Sequence, residues 1–250
     1  MIPDRLKTYK LTYKPLGKSA ILIEWPPEMN ELILKDVLLF YNRIQLSKKE
    51  GIVETIQSIN SLTIIYDFEL INFDELNLWL KRIYPEIKNT SYTQKNHLWK
   101  IPVCYDTTFG LDLSEISVKN KLSIQEIIRL HTGTAYRIYS IGFLPGFLYL
   151  GGLEKQLHIN RKSKPRLEVP KGAVGIGGVQ TGIYPKSSPG GWQILGNTPI
   201  NFFDISKSIP CFAKPGDKIQ FIAISYQEHV HIQEQVTKGV YLLEKEVLND

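Results

Sequence analysis

The pattern of apolar and polar positions over residues 1–95 predicts six elements. Thr8–Lys14 and Ser19–Trp25 read as strands joined by a short turn at Leu16-Gly17-Lys18, and Pro26-Pro27 ends that hairpin. Helical periodicity runs from Asn30 to Leu46 through Leu34, Leu38, Tyr41 and Leu46, with Asn30 as the N-cap and Gly51 as the stop. Ile52–Ile59 and Leu62–Phe68 are β-rich on either side of an Asn60-Ser61 turn. Asn72 caps a second helix, Phe73–Tyr84, which stops before Pro85 because proline disfavours helical geometry in the residue ahead of it. The order ββαββα predicts a two-layer domain over residues 1–95, with a four-stranded antiparallel sheet covered on one face by two helices.

The pattern changes over residues 96–250. A strand-like HLWKIPVCY begins at His97, and Ser123-Ile-Gln-Glu126 is a capping box opening a short helix that runs to His131. Short β-rich pieces follow: AYRIYSIGF, GFLYLGGL, VGIGGVQTGIYP, GWQILG, INFFDI and KIQFIAI. Many short strands punctuated by Gly and Pro predict a barrel or a sandwich. Ser225 and Glu228 form a second capping box, opening a terminal helix toward Gln235. The fold class expected is α+β, with two domains.

Composition sharpens this division. Twelve of the 18 glycines lie between Gly142 and Gly196, while the first 100 residues hold only Gly17 and Gly51, so the two domains are differently constructed. At 43% hydrophobic and 22% charged residues the chain is globular rather than disordered. No apolar run approaches the ~18 residues of a membrane span. MIPDRLKTYKLTYKP lacks the apolar core of a secretory signal, and Cys104 and Cys211 do not make a disulfide framework. The expectation is a soluble cytoplasmic protein. The net charge of +5 is mild, and no long basic run suggests nucleic acid. One window stands out: residues 155–186 hold seven basic side chains against Glu168 alone, which suits a small anionic ligand, an acidic partner or a solvated face.

Candidate chemistry is concentrated in the second half. The run Gly172–Gly182 invites a phosphate-loop reading but has Gly178 where a P-loop needs lysine, and Gln180 where a dinucleotide fingerprint needs glycine. A barrel strand and turn, or a backbone lining for a carbonyl or carboxylate, account for it instead. There is no G-x-S-x-G elbow and no cysteine pair with zinc spacing. His229 and His231, two residues apart on a helix, point about 200° apart at ~3.6 residues per turn and cannot share an ion, so no metal is expected. His131 ends a helix, where the dipole favours a cation; a helix-end hydrogen bond or catalysis would each use it. The segment from Gly142 to Leu153 alternates Gly, Pro and rings, and can line a groove with Phe143, Phe147 and Tyr149. A second such segment runs from Tyr184 to Trp192 through Pro189-Gly190. Between them Arg166 offers a fork for a carboxylate, and Gln180 and Thr181 can pair with an amide. These residue types suggest an amphipathic pocket for a small acid bearing an amide.

GFLPGFLYLGGL, followed by PRLEVPKGAVGIGGVQTGIYPKSSPGGWQILGNTP, resembles the family of the 5-oxoprolinase B subunit, which includes the kinase inhibitor KipI and was formerly called allophanate hydrolase subunit 1. The likeness spans nearly the whole chain: Gly17-Lys-Ser-Ala-Ile-Leu-Ile-Glu24, Gly51-Ile-Val-Glu, Ser61–Asp67 and Ile101-Pro-Val-Cys-Tyr105 resemble family segments as well. The resemblance implies a cyclophilin-like β-barrel for the second domain. It implies one component of an ATP-dependent enzyme that opens 5-oxoproline to glutamate with subunits A and C, a relation to the carboxyltransferase domain of urea carboxylase, and ATP bound by the complex rather than clearly by this chain. By the same resemblance the pocket is lined by Phe143, Pro145, Gly146, Phe147, Arg166, Gln180, Thr181, Tyr184, Pro189, Gly190 and Trp192. The sequence departs from the family at Leu111, Asn160, Val179 and Asn197; the last stands where arginine is common, which leaves Arg166 as the better-supported clamp. No general base is visible, so the chain is expected to be inactive alone. The alternatives are a KipI-like inhibitor of sporulation histidine kinase autophosphorylation and a bare cyclophilin-like binding module.

Overall fold

The computed structural model describes residues 9–89 and 95–248 and divides into two units, Met1–Gln94 and Lys95–Asp250. In the first, strands β1 (Thr12–Pro15), β2 (Ala20–Glu24), β3 (Ile52–Gln57) and β4 (Ser61–Tyr66) form an antiparallel sheet in the order β1-β2-β4-β3. The expected strand start at Thr8 lies outside the described residues. Helices α1 (Glu31–Ser47) and α2 (Phe73–Ile83) and a 3-10 turn over Tyr84–Asn89 supply the other elements. Asn30 caps α1 through Leu32 N–H, and Asn72 caps α2 in a reciprocal box with Glu75.

Two details of the first unit differ from expectation. Helix α1 ends at Lys48 in the left-handed region, ahead of Gly51. Its core stripe is Ile33, Val37, Phe40 and Ile44, while Leu46 is 71% exposed. The helix is apolar on most of its circumference, so periodicity alone leaves the phase ambiguous. The buried Asp36 fixes it, because its Oδ2 accepts from Trp25 Nε1 at 2.7 Å and from the Tyr84 hydroxyl at 2.6 Å. Those bonds satisfy a carboxylate that would otherwise be costly to bury.

The second unit is a closed barrel. Strands β5 (Asn96–Cys104), β6 (Ala135–Ile141), β7 (Leu148–Gly151), β9 (Ala173–Gly177), β10 (Gln180–Ile183), β12 (Gln193–Asn197) and β13 (Lys218–Ile224) run in the order β12-β9-β10-β7-β6-β13-β5, and Asn197 pairs with Cys104 to close the ring. Strands β5 and β13 are parallel; the others pair antiparallel. Strand β14 (Lys245–Leu248) extends β5, and β8 (Arg166–Val169) with β11 (Ser188–Gly190) makes a separate ribbon. Helices α3 (Leu113–Asn120), α4 (Ile124–Thr132) and α5 (Tyr226–Thr237) complete it. The interior is filled by Ile101, Val103, Tyr136, Ile138, Leu150, Ile176, Leu195 and Phe221. INFFDI is not a strand: Ile200 and Phe202 are buried, but Asp204 N–H closes an irregular loop onto Pro210 O.

Candidate functional site

Side-chain parity on the barrel wall separates two groups of candidates. Thr181 pairs across from Ile176, an interior residue, and is itself fully buried. Its neighbours Gln180 and Gly182 therefore face the other side, opposite Gly177 and Gly175. This glycine strip receives the Trp192 indole: a Cβ at Gly177 would stand 2.6 Å from Cε2, and one at Gly182 would stand 2.9 Å from Cζ3. Trp192 and Tyr184 each meet the Phe147 ring edge-on, with centroids 5.5 and 5.4 Å away, and Tyr149 lies 5.0 Å from it. These rings pack with Val169, Ala173 and Ile194 as a cluster separate from the barrel interior.

Among the sequence-predicted residues, Phe147, Tyr184 and Trp192 thus come together, but all three are buried, so they form a packed wall rather than an open groove. Phe143 sits at its margin, 5.6 Å from Phe147 and 66% exposed. Its φ of 62° is unusual for a non-glycine residue outside a helix cap. Gly146, at φ 84°, lets this loop fold against Phe202 and Phe203, where a Cβ would clash. Gly190 lies against the Tyr184 ring, whereas Pro145 and Pro189 are exposed. Gln180 is half-buried, and its Nε2 is buried without a hydrogen-bond partner among the described residues.

Arg166 is engaged within the chain. Its Nη2 donates to Oδ1 of Asp112 at 2.7 Å, and Lys162 Nζ reaches the same oxygen at 2.8 Å. Oδ2 of Asp112 accepts the Ile194 N–H at 2.7 Å. Burial alone would raise the Asp112 pKa, but these donors outweigh it and hold the group below its ordinary value. Lys119 and Lys162 hold Glu115 down at about 2. The basic window is therefore partly neutralised from within the chain by Asp112 and Glu115, neither of which stands out in the sequence. Arg161 remains above the Trp192 ring, 5.9 Å from its centroid. Arg166 Nη1 is buried without a partner among the described residues.

Two histidines, His131 and His229, are tied into internal hydrogen bonds. The Thr181 hydroxyl donates to Gly175 O at 3.0 Å, so it can only accept from His131 Nε2, 2.9 Å away. That assignment leaves His131 Nδ1 to accept from the Tyr105 hydroxyl at 2.7 Å. Burial pushes the imidazole down to about 3, so it is neutral, contrary to the cation expected at a helix end. Asn197 Oδ1 lies 2.9 Å from His229 Nε2, and Asn197 Nδ2 donates to Lys171 O, which gives this departure from the family pattern a bracing role. The Gly172–Gly182 run is the β9–β10 hairpin, turning at Gly178 with φ 67°.

A family model described as the carboxyltransferase domain, subdomain C and D, matches residues 11–213. A 5-oxoprolinase B subunit of Bacillus subtilis (strain 168) is 36% identical over 238 residues, covering 91% of this chain and 99% of that protein. The protein of that name from Haemophilus influenzae is 39% identical over 208 residues, covering 83% and 95%. Among solved structures, the Kluyveromyces lactis urea amidolyase superposes with a TM-score of 0.82 over 96% of this chain and 16% of that one. At 22% identity that likeness concerns the fold. TTHA0988 superposes with a TM-score of 0.72 at 30% identity, over 82% of this chain and 40% of that one.

Proposed function

The chain belongs to the family of 5-oxoprolinase B subunits, within the carboxyltransferase subdomain C and D domains, and from that premise we propose that it acts in an ATP-dependent 5-oxoprolinase together with A- and C-type subunits. The observation that carries this reading is identity of 36–39% over nearly the full length of relatives with that name. The kinase-inhibitor alternative is not favoured, because these relatives carry an enzyme-component name.

The residues fit a small cyclic amide acid better than a nucleotide. The glycine run does not suit a nucleotide's phosphates: it is an antiparallel hairpin continuing as strand through Ile183, with no following helix and no lysine after Gly177. ATP is accordingly assigned to the assembled complex. Opening the lactam ring places charge on its carbonyl oxygen, which the Gln180 amide and the backbone near Gly177–Gly182 are suited to stabilise. The Arg166 Nη1 suits the substrate carboxylate, and the exposed Phe143 ring at the margin of the packed wall suits the apolar edge of the lactam. Co-expression with A- and C-type subunits, followed by measurement of ATP-dependent glutamate release from 5-oxoproline, tests the reading. A stable complex without that turnover would overturn it.

A further inference from the structure

Arg161, Lys162 and Arg166 are close in sequence but differently employed. Arg166 faces Asp112 at 2.7 Å, and Lys162 faces Asp112 and Glu115 at 2.8 and 2.7 Å. Arg161 is exposed and has no carboxylate or hydrogen-bond partner among the described residues. It lies instead over the Trp192 ring, 5.9 Å from the centroid. Attraction to a ring face does not neutralise a guanidinium, so the charge of Arg161 and its donor fork stay available.

The groups around Arg161 are donors too. Tyr149 pairs across from Gly182, so it shares the outer face of the barrel wall with Gln180 and the Trp192 indole. Tyr149 and Gln180 are half-buried, whereas Tyr184 and Trp192 are buried, so the Tyr149 and Arg161 side of the wall is the one open to solvent. The Tyr184 hydroxyl lies where a Cβ on Gly190 would stand 2.4 Å away, and Gly190 is the register partner of Arg166. Burial raises the pKa of the Tyr149 and Tyr184 hydroxyls; the charge of Arg161 acts on both in the opposite direction, and that of Arg166 acts likewise on Tyr184. The two guanidiniums thus flank one pair of phenols. The Arg161 fork, the Tyr149 hydroxyl and the orphan Gln180 Nε2 have no carboxylate bonded to them among the described residues. Converging donors around an uncompensated positive charge complement an anionic acceptor.

We propose that Arg161 is the residue that selects the acid form of the substrate, meeting its carboxylate beside the Trp192 face; the proposal rests on the functional reading above. Arg166, already facing Asp112, contributes a directed N–H, and Arg161 contributes the uncompensated charge. The test uses the full chain co-expressed with A- and C-type subunits, comparing wild type, Arg161→Gln and Arg161→Lys. The ligands are 5-oxoproline and its neutral primary amide, the latter measured as a competitor. Arg161 is exposed and carries no internal hydrogen bond, so neither variant threatens the fold. Arg161→Gln should raise KM for the acid at least about tenfold, the loss of one charge-assisted contact. Its kcat should stay within about twofold of wild type, because the carboxylate is bound equally before and during ring opening. The inhibition constant of the amide should not change. Arg161→Lys keeps the charge at an open position and should hold KM within about threefold of wild type. If the amide binds too weakly to measure, the lysine variant decides. An unchanged KM in Arg161→Gln, an equal weakening of acid and amide, or a KM in Arg161→Lys as high as in Arg161→Gln overturns this inference alone. A stable wild-type complex without turnover overturns the functional reading and this inference with it.

Discussion

Arg166 Nη2 donates to Asp112 Oδ1 at 2.7 Å, tying the β8–β11 ribbon to the start of α3. Asp112 is 2% exposed, while the Arg166 side chain is 25% exposed. The two ends of the pair therefore differ in what their loss leaves behind. Arg166→Ala leaves Asp112 with Lys162 and the Ile194 N–H, and should lower unfolding free energy by about 2–3 kcal/mol. Asp112→Ala orphans the Ile194 N–H and the Arg166 guanidinium and leaves Lys162 with Glu115 alone, and should cost about 3–5 kcal/mol. Denaturant titration of both variants checks the order; equal losses would mean the carboxylate is not the hub.

Arg166→Lys separates bracing from recognition. Lysine can keep one contact to Asp112 but cannot present a second donor in the same plane. In the reconstituted complex it should lose at least about tenfold in turnover, since a charge-assisted pair at a buried site is worth ~2–5 kcal/mol, while its melting temperature stays near wild type. Near-normal turnover would confine Arg166 to bracing.

Gly177→Ala should disturb the ring wall, because the added methyl would meet the Trp192 indole at 2.6 Å. Overpacking of this kind costs about 1–3 kcal/mol. Trp192 near-ultraviolet dichroism and complex turnover should change together. An unchanged tryptophan signal would show that the added methyl is accommodated without displacing the indole.

These sites are unequally legible in the sequence. The caps Asn30, Asn72, Ser123 and Ser225 are readable because each is a local interaction spanning two or three residues. Phe147, Tyr184 and Trp192 stand out through the unusual Gly-Pro-aromatic segments that hold them. Asp112 is hidden because its partners lie about fifty and eighty residues away, beyond any local pattern. Helix α3 is hidden because it is short and only weakly amphipathic.

Stability should fall as pH drops from 6.5. The folded His131 is held down at about 3, so below 6.5 the unfolded chain binds a proton that the folded one refuses. The contribution is fully present above 6.5 and is lost progressively as pH falls toward 3, at a slope of up to ~1.4 kcal/mol per pH unit. Burial also lowers His229, which acts with the same sign. His131→Gln should therefore flatten the slope between pH 6.5 and 4.5 without abolishing it, as read by denaturant titration across that range. An unchanged slope would mean that His131 is not excluded from protonation.

The purified chain alone should hydrolyse no ATP, because its glycine-rich hairpin lacks a phosphate-binding lysine. Release of phosphate by the chain alone, abolished by substitutions within Gly172–Gly182, would contradict that.

Strand β5 opens the second unit, yet its partners β12, β13 and β14 all lie far downstream in the chain. Loop-closure entropy must be overcome before those pairings are rewarded, so the barrel is expected to fold slowly. The first unit's sheet is joined by two local hairpins, with a longer connection through α1, and can form from its own residues. During synthesis that sheet can mature first, while β5 waits, with its apolar residues exposed, for the final third of the chain to emerge. Truncation ahead of β13 therefore removes more than a terminal helix: it withdraws the parallel partner of the barrel's first strand.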